Sequence, residues 1–347
     1  MRKIIVLISF LFVYQVNVFA QSPLGKWEGA INTIAPNGAP VTLPFQILIA
    51  EDSTGLKGYF VSSAQNFVSE FKTVVRSGAN LSVEVDVPNN FPVIITGTFN
   101  DSVWNAQLRQ GQAVFPVTIT RKSEIELKTL KIAPSYQSQQ MWCWITVGEM
   151  IFRHTGVLSD ADPPGHGTQC RIIRTIFQGS QNFICSLNCN QCGSLGAGSS
   201  RELAGMLADF PRRISTSGKR VPRIFSSIAP PLSFAELKSE IERGYPVIAG
   251  ISPGQQFSFE RQMNPFLPPM HAALIVGILR TDKGIWYLVN DPYPFPIGPQ
   301  NPYLANGAIP LITSIAGAPK SSAYFIAEDK YKNGMTWSES ILIRVEK

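Results

Sequence analysis

The sequence predicts two domains, an all-β up-and-down barrel followed by an α+β domain. Three observations carry this. The chain has 347 residues, beyond the usual size of one domain. Its first third is a series of short alternating runs parted by turn residues, and helical periodicity sets in only after residue 140.

The runs at 26–34, 41–50, 56–61, 67–75, 81–87, 93–99, 103–109 and 114–121 have strand length and the alternation of half-buried strands. Turn chemistry separates them, in Pro36-Asn-Gly38, Asp52-Ser-Thr-Gly55, Ser77-Gly-Ala-Asn80, Pro88-Asn-Asn90, Asn100-Asp101 and Gln110-Gly-Gln112. Eight antiparallel strands with no helix between them close into a barrel, which removes exposed edges. So small a barrel has room for little beyond its own side chains, and a filled interior is expected. Polar residues 122–128 read as a linker, which puts the two domains at 21–124 and 125–347.

In the second domain, residues 142–156 read as a helix ended by Gly156, and 169–177 as another. A third starts at a Ser199/Ser200 cap and runs through Leu203, Met206, Leu207 and Phe210. A fourth opens with the capping box Ser233-Phe-Ala-Glu236 and stops at Gly244. Short apolar strands follow at 246–251, 272–279, 285–290, 323–327 and 341–345. Helices first and strands after describe an α+β domain.

Residues 1–20 belong to neither domain. Met1-Arg2-Lys3 is a positive start, 4–13 are apolar, and Val18-Phe19-Ala20 offers small residues at cleavage spacing, so a signal peptide and a secreted or periplasmic product are expected. No cysteine follows the cut to take a lipid anchor, and no later apolar run has the length of a bilayer span, so no stable membrane insertion is expected. A formal charge of +6, scattered along the chain without a basic stripe or interleaved aromatics, argues against a nucleic-acid partner. No phosphate loop or metalloprotease helix occurs, and neither cofactor nor metal is expected; nothing in the sequence speaks to oligomeric state.

Five cysteines make an odd count. Cys170, Cys185, Cys189 and Cys192 share one short segment and in an exported chain form two disulfides, with three pairings open. A four-thiolate zinc site is the alternative, since Cys189 and Cys192 have C-x-x-C spacing, but no second close pair accompanies them. Either way Cys143 stands apart. It lies between Trp142 and Trp144 at the start of a helix, where unpaired amides favour thiolate, the reactive form. The tryptophans themselves read as packing residues.

A thiol nucleophile needs a base and a group to orient that base. The chain has three histidines. His154 lies on the helix of Cys143, about 16 Å along its axis, and His166, between two glycines, reads as a loop residue. His271 remains, opening the apolar run to Gly277. Asn290 and Asp291 close the next strand, and either residue type can orient an imidazole; alternation sends them to opposite faces, so only one serves. Gln137, ahead of the thiol, offers an amide for an oxyanion, as do its neighbours Gln139 and Gln140.

The order Gln137, Cys143-Trp144, His271 and Asp291-Pro292 resembles the papain-like cysteine peptidases, and looks most like the bacterial effector branch related to plant-pathogen avirulence proteases. Residues 233–250 are similar to that family's helix, Gly, Pro and strand lead-in to the histidine, and the resemblance spans about 133–300. It implies a papain-like domain that hydrolyses protein or peptide substrates through a thioester. Gln137 would then serve the oxyanion hole, Cys143 attack, His271 act as base, and Asp291 rather than Asn290 orient it. The cysteine-rich insert at 170–192 and the proline-rich loops depart from the pattern and bear on specificity rather than chemistry.

The first domain resembles a lipocalin-like β-barrel module found ahead of some secreted bacterial hydrolases. The match rests on Gly25-Lys-Trp-Glu-Gly29, on Gly58-Tyr and Gly97-Thr-Phe read as turns, and on Phe115-Pro-Val-Thr-Ile-Thr-Arg121. It assigns the barrel no role. Two other functions fit the same residues: an acyl transferase or amidase working through the same thioester, and a non-catalytic binding protein in which the barrel does the work.

Overall fold

Alternate residues of the first eight runs, among them Trp27, Ile47, Ile49, Phe60, Val83, Ile95 and Ile119, share one apolar interior. The computed structural model describes residues 22–346 apart from 36, 88–90, 197–198, 217–219, 253–270, 297, 299 and 312–319, so the signal segment lies outside the described residues. Strands β1 (Gly25–Ile34), β2 (Pro40–Asp52), β3 (Gly55–Ser62), β4 (Phe67–Ser77), β5 (Asn80–Val85), β6 (Val93–Phe99), β7 (Val103–Gln110) and β8 (Ala113–Ser123) pair in sequence, and β1 closes on β8. Aromatic rings fill the inside: Trp27 meets Trp104 edge-on at 6.4 Å, and Phe45 stacks on Phe60 at 5.3 Å.

Gly58 and Gly97 are not turn residues. They lie within β3 and β6, where an added Cβ would come within 1.9 Å of the Leu48 carbonyl oxygen and 2.0 Å of that of Asn105. Their glycine signal is one of close backbone approach rather than of a turn.

Residues 122–128 are not a free linker either. β8 runs on through Ser123, and β9 (Glu126–Thr129) pairs with a strand of the second part. That part begins with helices α1 (Cys143–His154), α2 (His166–Ile176), the single turn α3 (Ile184–Leu187) and α4 (Ser200–Ile214). Strand β10 (Arg223–Ala229) and α5 (Phe234–Glu242) follow, then β11 (Val247–Ile251), β12 (His271–Thr281), β13 (Gly284–Pro296), α6 (Pro302–Ala305), β14 (Ile309–Pro310), β15 (Lys320–Ala327) and β16 (Trp337–Glu346). The order across the sheet is β10-β16-β11-β12-β13-β15-β14, antiparallel throughout, with β9 beside the far half of β12. Strands thus both precede and interrupt the helices, because β9 and β10 join the sheet from outside the later run.

Each face of the sheet has its own core. Ala272, Leu274 and Val276 of β12 pack with α1, α2 and α4, while Ala273, Ile275 and Ile278 pack with α5, α6 and Trp337. The expected caps hold: Ser233 and Glu236 form the reciprocal box, Ser199 accepts from the Glu202 amide, and Gly156 and Gly244 have φ of +78° and +88°. These are left-handed values that glycine adopts without Cβ strain.

The barrel leans on the first of these faces. Leu48, Ala50, Tyr59, Val61 and Val68 point out of the barrel into the core shared with Leu279, Leu288, Leu311 and Phe325. Tyr59 meets Phe325 edge-on at 4.9 Å, and Lys26 binds Asp282 at 3.2 Å.

Candidate active site

Helix α1 begins at Cys143 because Trp142 is the last residue outside helical geometry, with φ −96° and ψ 22°. No side chain caps this end and no acid lies in its first turn, so the amide dipoles there are left for another negative group. The helix is buried on nearly every side and packs across β12 and β13. Cys143 is half-buried, and is the one cysteine outside a disulfide among the described residues.

The other four pair as Cys170–Cys189 and Cys185–Cys192. This settles which of the three pairings is formed and leaves no four-thiolate site. His166, Cys170 and Cys189 do bring three ligand-type atoms within 4.8 Å of one another, but both sulfurs are spent on the same bridge. The bridged segment forms a platform under the start of α1. Trp142 Nε1 donates to the Cys192 carbonyl at 2.8 Å, Trp144 Nε1 to that of Leu195 at 3.2 Å, and the Met141 amide to that of Gly193 at 3.1 Å. Both tryptophans are buried, as packing residues should be.

His271 opens β12 and pairs across to Ile251; it is 6 % exposed. Its Nε2 donates to Asp291 Oδ1 at 2.7 Å, and its side chain is also hydrogen-bonded to Cys143. With Nε2 engaged by the carboxylate, Nδ1 is the ring nitrogen left for the thiol. Burial disfavours a charged ring, but the Asp291 charge, the Cys143 charge and the hydrogen bonds to both outweigh it, and His271 is raised well above its ordinary range.

Asp291 is fully buried. The register of β13 against β15 breaks between Asn290 and Phe295, an irregularity of the kind that re-aims side chains beside sites. Asn290 turns to one face and donates to the Ile132 carbonyl at 2.8 Å. Asp291 turns to the other, accepting His271 and the Tyr293 amide on Oδ1 and the Tyr303 hydroxyl on Oδ2 at 2.7 Å. Of the two candidates for orienting the imidazole, the structure brings Asp291 to His271 and sends Asn290 elsewhere.

Gln137 is buried beside this group, its amide N–H donating to the Pro292 carbonyl at 2.8 Å. Its side-chain Nε2 donates to the carbonyls of Gln140 at 2.5 Å and Gln139 at 3.1 Å, within the turn that leads into Cys143. Its Oε1 is buried without a partner among the described residues. Gln139 instead reaches out to Asn190, at 3.3 Å.

His154 stands away from the site and contacts the Gly244 carbonyl at 2.7 Å. His166 is not a loop residue: it is the first residue of α2, exposed, and stacks on Trp142 at 6.0 Å. The glycine before it, at φ +105°, ends the loop and starts the helix rather than extending the loop through it. Tyr303, Glu149 and Gln169 have no place in the sequence reading. Only Glu149 left a signal, a carboxylate inside the otherwise apolar stretch Val147 to Phe152 of a helix.

A free thiol, a buried imidazole and a buried carboxylate in series are the equipment of thiol-dependent acyl-transfer enzymes as a class. Residues 129–301 match the Peptidase_C39 like family, a match that supports a cysteine peptidase and takes in Gln137, Cys143, His271 and Asp291. No curated protein matches the chain. Among solved structures, a Schistosoma mansoni fatty acid binding protein in complex with arachidonic acid is similar at 12 % identity, covering 29 % of this chain and 96 % of its own, with a TM-score of 0.21.

Proposed function

We propose that the protein is a papain-like cysteine endopeptidase, with Cys143 as nucleophile, His271 as general base and acid, Asp291 as orienting group and Gln137 as an oxyanion donor. The observation that carries this is His271 bonded on one side to Cys143 and on the other to Asp291. The order Gln, Cys, His, Asp along the chain supports the kinship with the avirulence-effector branch. Two disulfides support an exported protein, and among the described residues no helix is long and apolar enough to cross a membrane.

The chemistry follows from the charges. His271, raised above its usual range, is protonated beside Cys143, and the thiolate is the form of a cysteine that attacks. The thiolate attacks the peptide carbonyl carbon, and negative charge builds on the oxygen. The Cys143 backbone N–H at the uncapped helix end lies where it can meet that charge. Gln137 joins it by exchanging one of its two carbonyl partners for the oxyanion. His271 gives its proton to the departing amine, leaving a thioester; it then takes a proton from water, which releases the acid product.

Fluorescein-labelled casein tests the reading, with Cys143→Ala as control. Hydrolysis should fall to background in C143A, and casein cleavage that survives in that variant would sink the assignment. Adding a primary amine separates hydrolase from transferase: acid products support the reading, amide conjugates in their place overturn it.

A further inference from the structure

Gln169, on the second turn of α2, is fully buried and uses both ends of its side chain on the two neighbours of Gln137. Its Nε2 donates to the Tyr136 carbonyl at 2.8 Å; its Oε1 accepts from the Ser138 amide at 2.9 Å and from the Ser138 hydroxyl at 2.8 Å. The Tyr136 carbonyl lies in the peptide plane before the Gln137 Cα, and the Ser138 N–H in the plane after it. Two planes held from one side chain leave the φ and ψ of Gln137 little freedom. The Pro292 carbonyl, accepting from the Gln137 N–H, ties the first plane to the residue after Asp291 as well.

An amide side chain can be turned end for end, but the Tyr136 carbonyl and the Ser138 N–H fix its sense here, and Glu149 reinforces it. This carboxylate is fully buried on α1, the helix that starts at Cys143, and its Oε2 accepts the second hydrogen of Gln169 Nε2 at 2.9 Å. A backbone carbonyl only accepts and a backbone N–H only donates, so the nitrogen of Gln169 faces Tyr136, with Glu149 as its second acceptor, and the oxygen faces Ser138. Ser135 donates to Glu149 Oε2 at 3.0 Å, the Gly165 amide to Oε1 at 2.9 Å and Arg153 to Oε1 at 3.2 Å, which fix the carboxylate in turn. The nucleophile's own helix thus sets the position of the loop that bears the oxyanion amide.

We propose that Gln169, anchored to the helix of Cys143 through Glu149, is the positioning residue that places Gln137 relative to Cys143. This rests on the peptidase reading for its effect on rate, while the clamp itself does not. Gln169 touches no reacting atom. Its contribution is to the transition state, through the placement of a donor, and not to the making of the thiolate. Misplacement of a catalytic donor by about 1 Å costs on the order of 10²-fold in rate.

Gln169→Glu is the test, because it keeps shape and volume but puts an acceptor against the Tyr136 carbonyl and the Glu149 carboxylate. Three quantities are read in the full-length protein: casein hydrolysis, iodoacetamide alkylation of Cys143, and deuterium exchange of peptides covering 135–142. In Q169E, casein kcat should fall about 10- to 100-fold with KM within about threefold. Alkylation should stay within about twofold of wild type, since the Cys143–His271 pair is untouched, and exchange at 135–142 should rise.

Ser138→Ala, at an exposed position, removes one of the four bonds and should shift kcat and exchange the same way by a smaller factor; it carries the test if Q169E does not fold. Hydrolysis unchanged in Q169E, or alkylation falling in step with hydrolysis, would overturn the positioning role. Should wild-type protein fail to cleave casein, the peptidase reading fails on its own. Exchange then still decides the clamp, with unchanged protection at 135–142 in Q169E counting against it.

Discussion

Tyr303 donates its hydroxyl to the oxygen of Asp291 that faces away from His271, at 2.7 Å. Burial first, then the Asp291 charge beside it, raises Tyr303 well above its ordinary range, so its hydroxyl keeps its proton and remains a donor. Asp291, fully buried, would otherwise carry a charge with one oxygen unpaired. Tyr303 is itself fixed by stacking on Tyr324 at 4.1 Å, whose hydroxyl accepts from Asn301 at 3.1 Å.

Tyr303→Phe should therefore lower casein kcat about 10-fold, equal to ~1.4 kcal/mol, with a loss of ~1–3 kcal/mol in denaturant stability. Tyr331 provides the control. It is a second buried tyrosine near Asp291, but its hydroxyl finds no partner among the described residues. Tyr331→Phe should leave both kcat and stability within error of wild type. Equal effects of the two variants would show that burial, and not the Asp291 bond, is what matters.

The second prediction concerns pH. Burial opposes charge on His271, while Asp291 and Cys143 favour it and prevail, so the ring stays protonated above its ordinary pKa of about 6.5. A raised folded-state value means that the protonated ring's stabilisation is fully present below about 6.5 and is lost as pH rises through the folded value. Activity should follow if, as proposed, the departing amine takes its proton from this ring. The alkaline limb of kcat/KM should thus lie well above pH 6.5, and Asp291→Asn should move it down toward 6.5 while cutting kcat about 10- to 1000-fold. A limb that stays put in D291N would contradict the electrostatic role of Asp291.

How much of this was open to sequence reading depends on how local each signal is. Alternation and turn chemistry are local, and the eight barrel strands and their closure were readable from them. So was the Ser233/Glu236 box, which spans one helical turn. Cys143 stood out by parity, and strand alternation correctly parted Asn290 from Asp291. What failed was longer in range. Glu126 and Lys128 are polar because they face outward beside the single buried Leu127, so a strand of the sheet read as a tether. Tyr303 reaches Asp291 from a separate short helix, and Gln169 reaches the Gln137 loop from 31 residues away; neither contact has a sequence period. In β2 the run Ile47 to Ala50 is buried on both faces, one turned into the barrel and one onto the sheet, where the alternation reading expects one buried face.

A thiol enzyme built on disulfides faces opposed redox demands. As the proposed nucleophile Cys143 must be reduced, while Cys170–Cys189 and Cys185–Cys192 must be oxidised to hold the platform that Met141, Trp142 and Trp144 dock on. Loss of a native disulfide costs about 2–5 kcal/mol in small domains. Activity should therefore rise with low dithiothreitol, as an oxidised Cys143 is recovered, and fall at higher levels as the bridges open. The double variant C185S/C192S should lose the falling arm's sharpness and show a lower Tm from the start. A curve that climbs steadily while titration finds all five thiols free would refute the dependence.

The barrel presents the last case. Its docked face joins the sheet through Leu48, Tyr59 and Val68 on one side and Leu311 and Phe325 on the other, a continuous apolar core. Beside this core a partly open cleft of ≈ 240 Å³ is lined by Leu48, Val61, Val68, Trp286 and Phe325 together with Lys26 and Lys283. The Lys26–Asp282 contact falls just past the end of β12 opposite His271, a separation of about 33 Å at ~3.3 Å per residue. Shared core predicts shared unfolding: calorimetry should show one transition. Tyr59→Ala, which removes the ring set against Phe325, should lower that transition by about 3 kcal/mol of stability while leaving casein hydrolysis per folded molecule unchanged. Two resolved transitions in the wild-type protein would separate the domains energetically, and faster hydrolysis in Y59A would show that the docked barrel restrains the site.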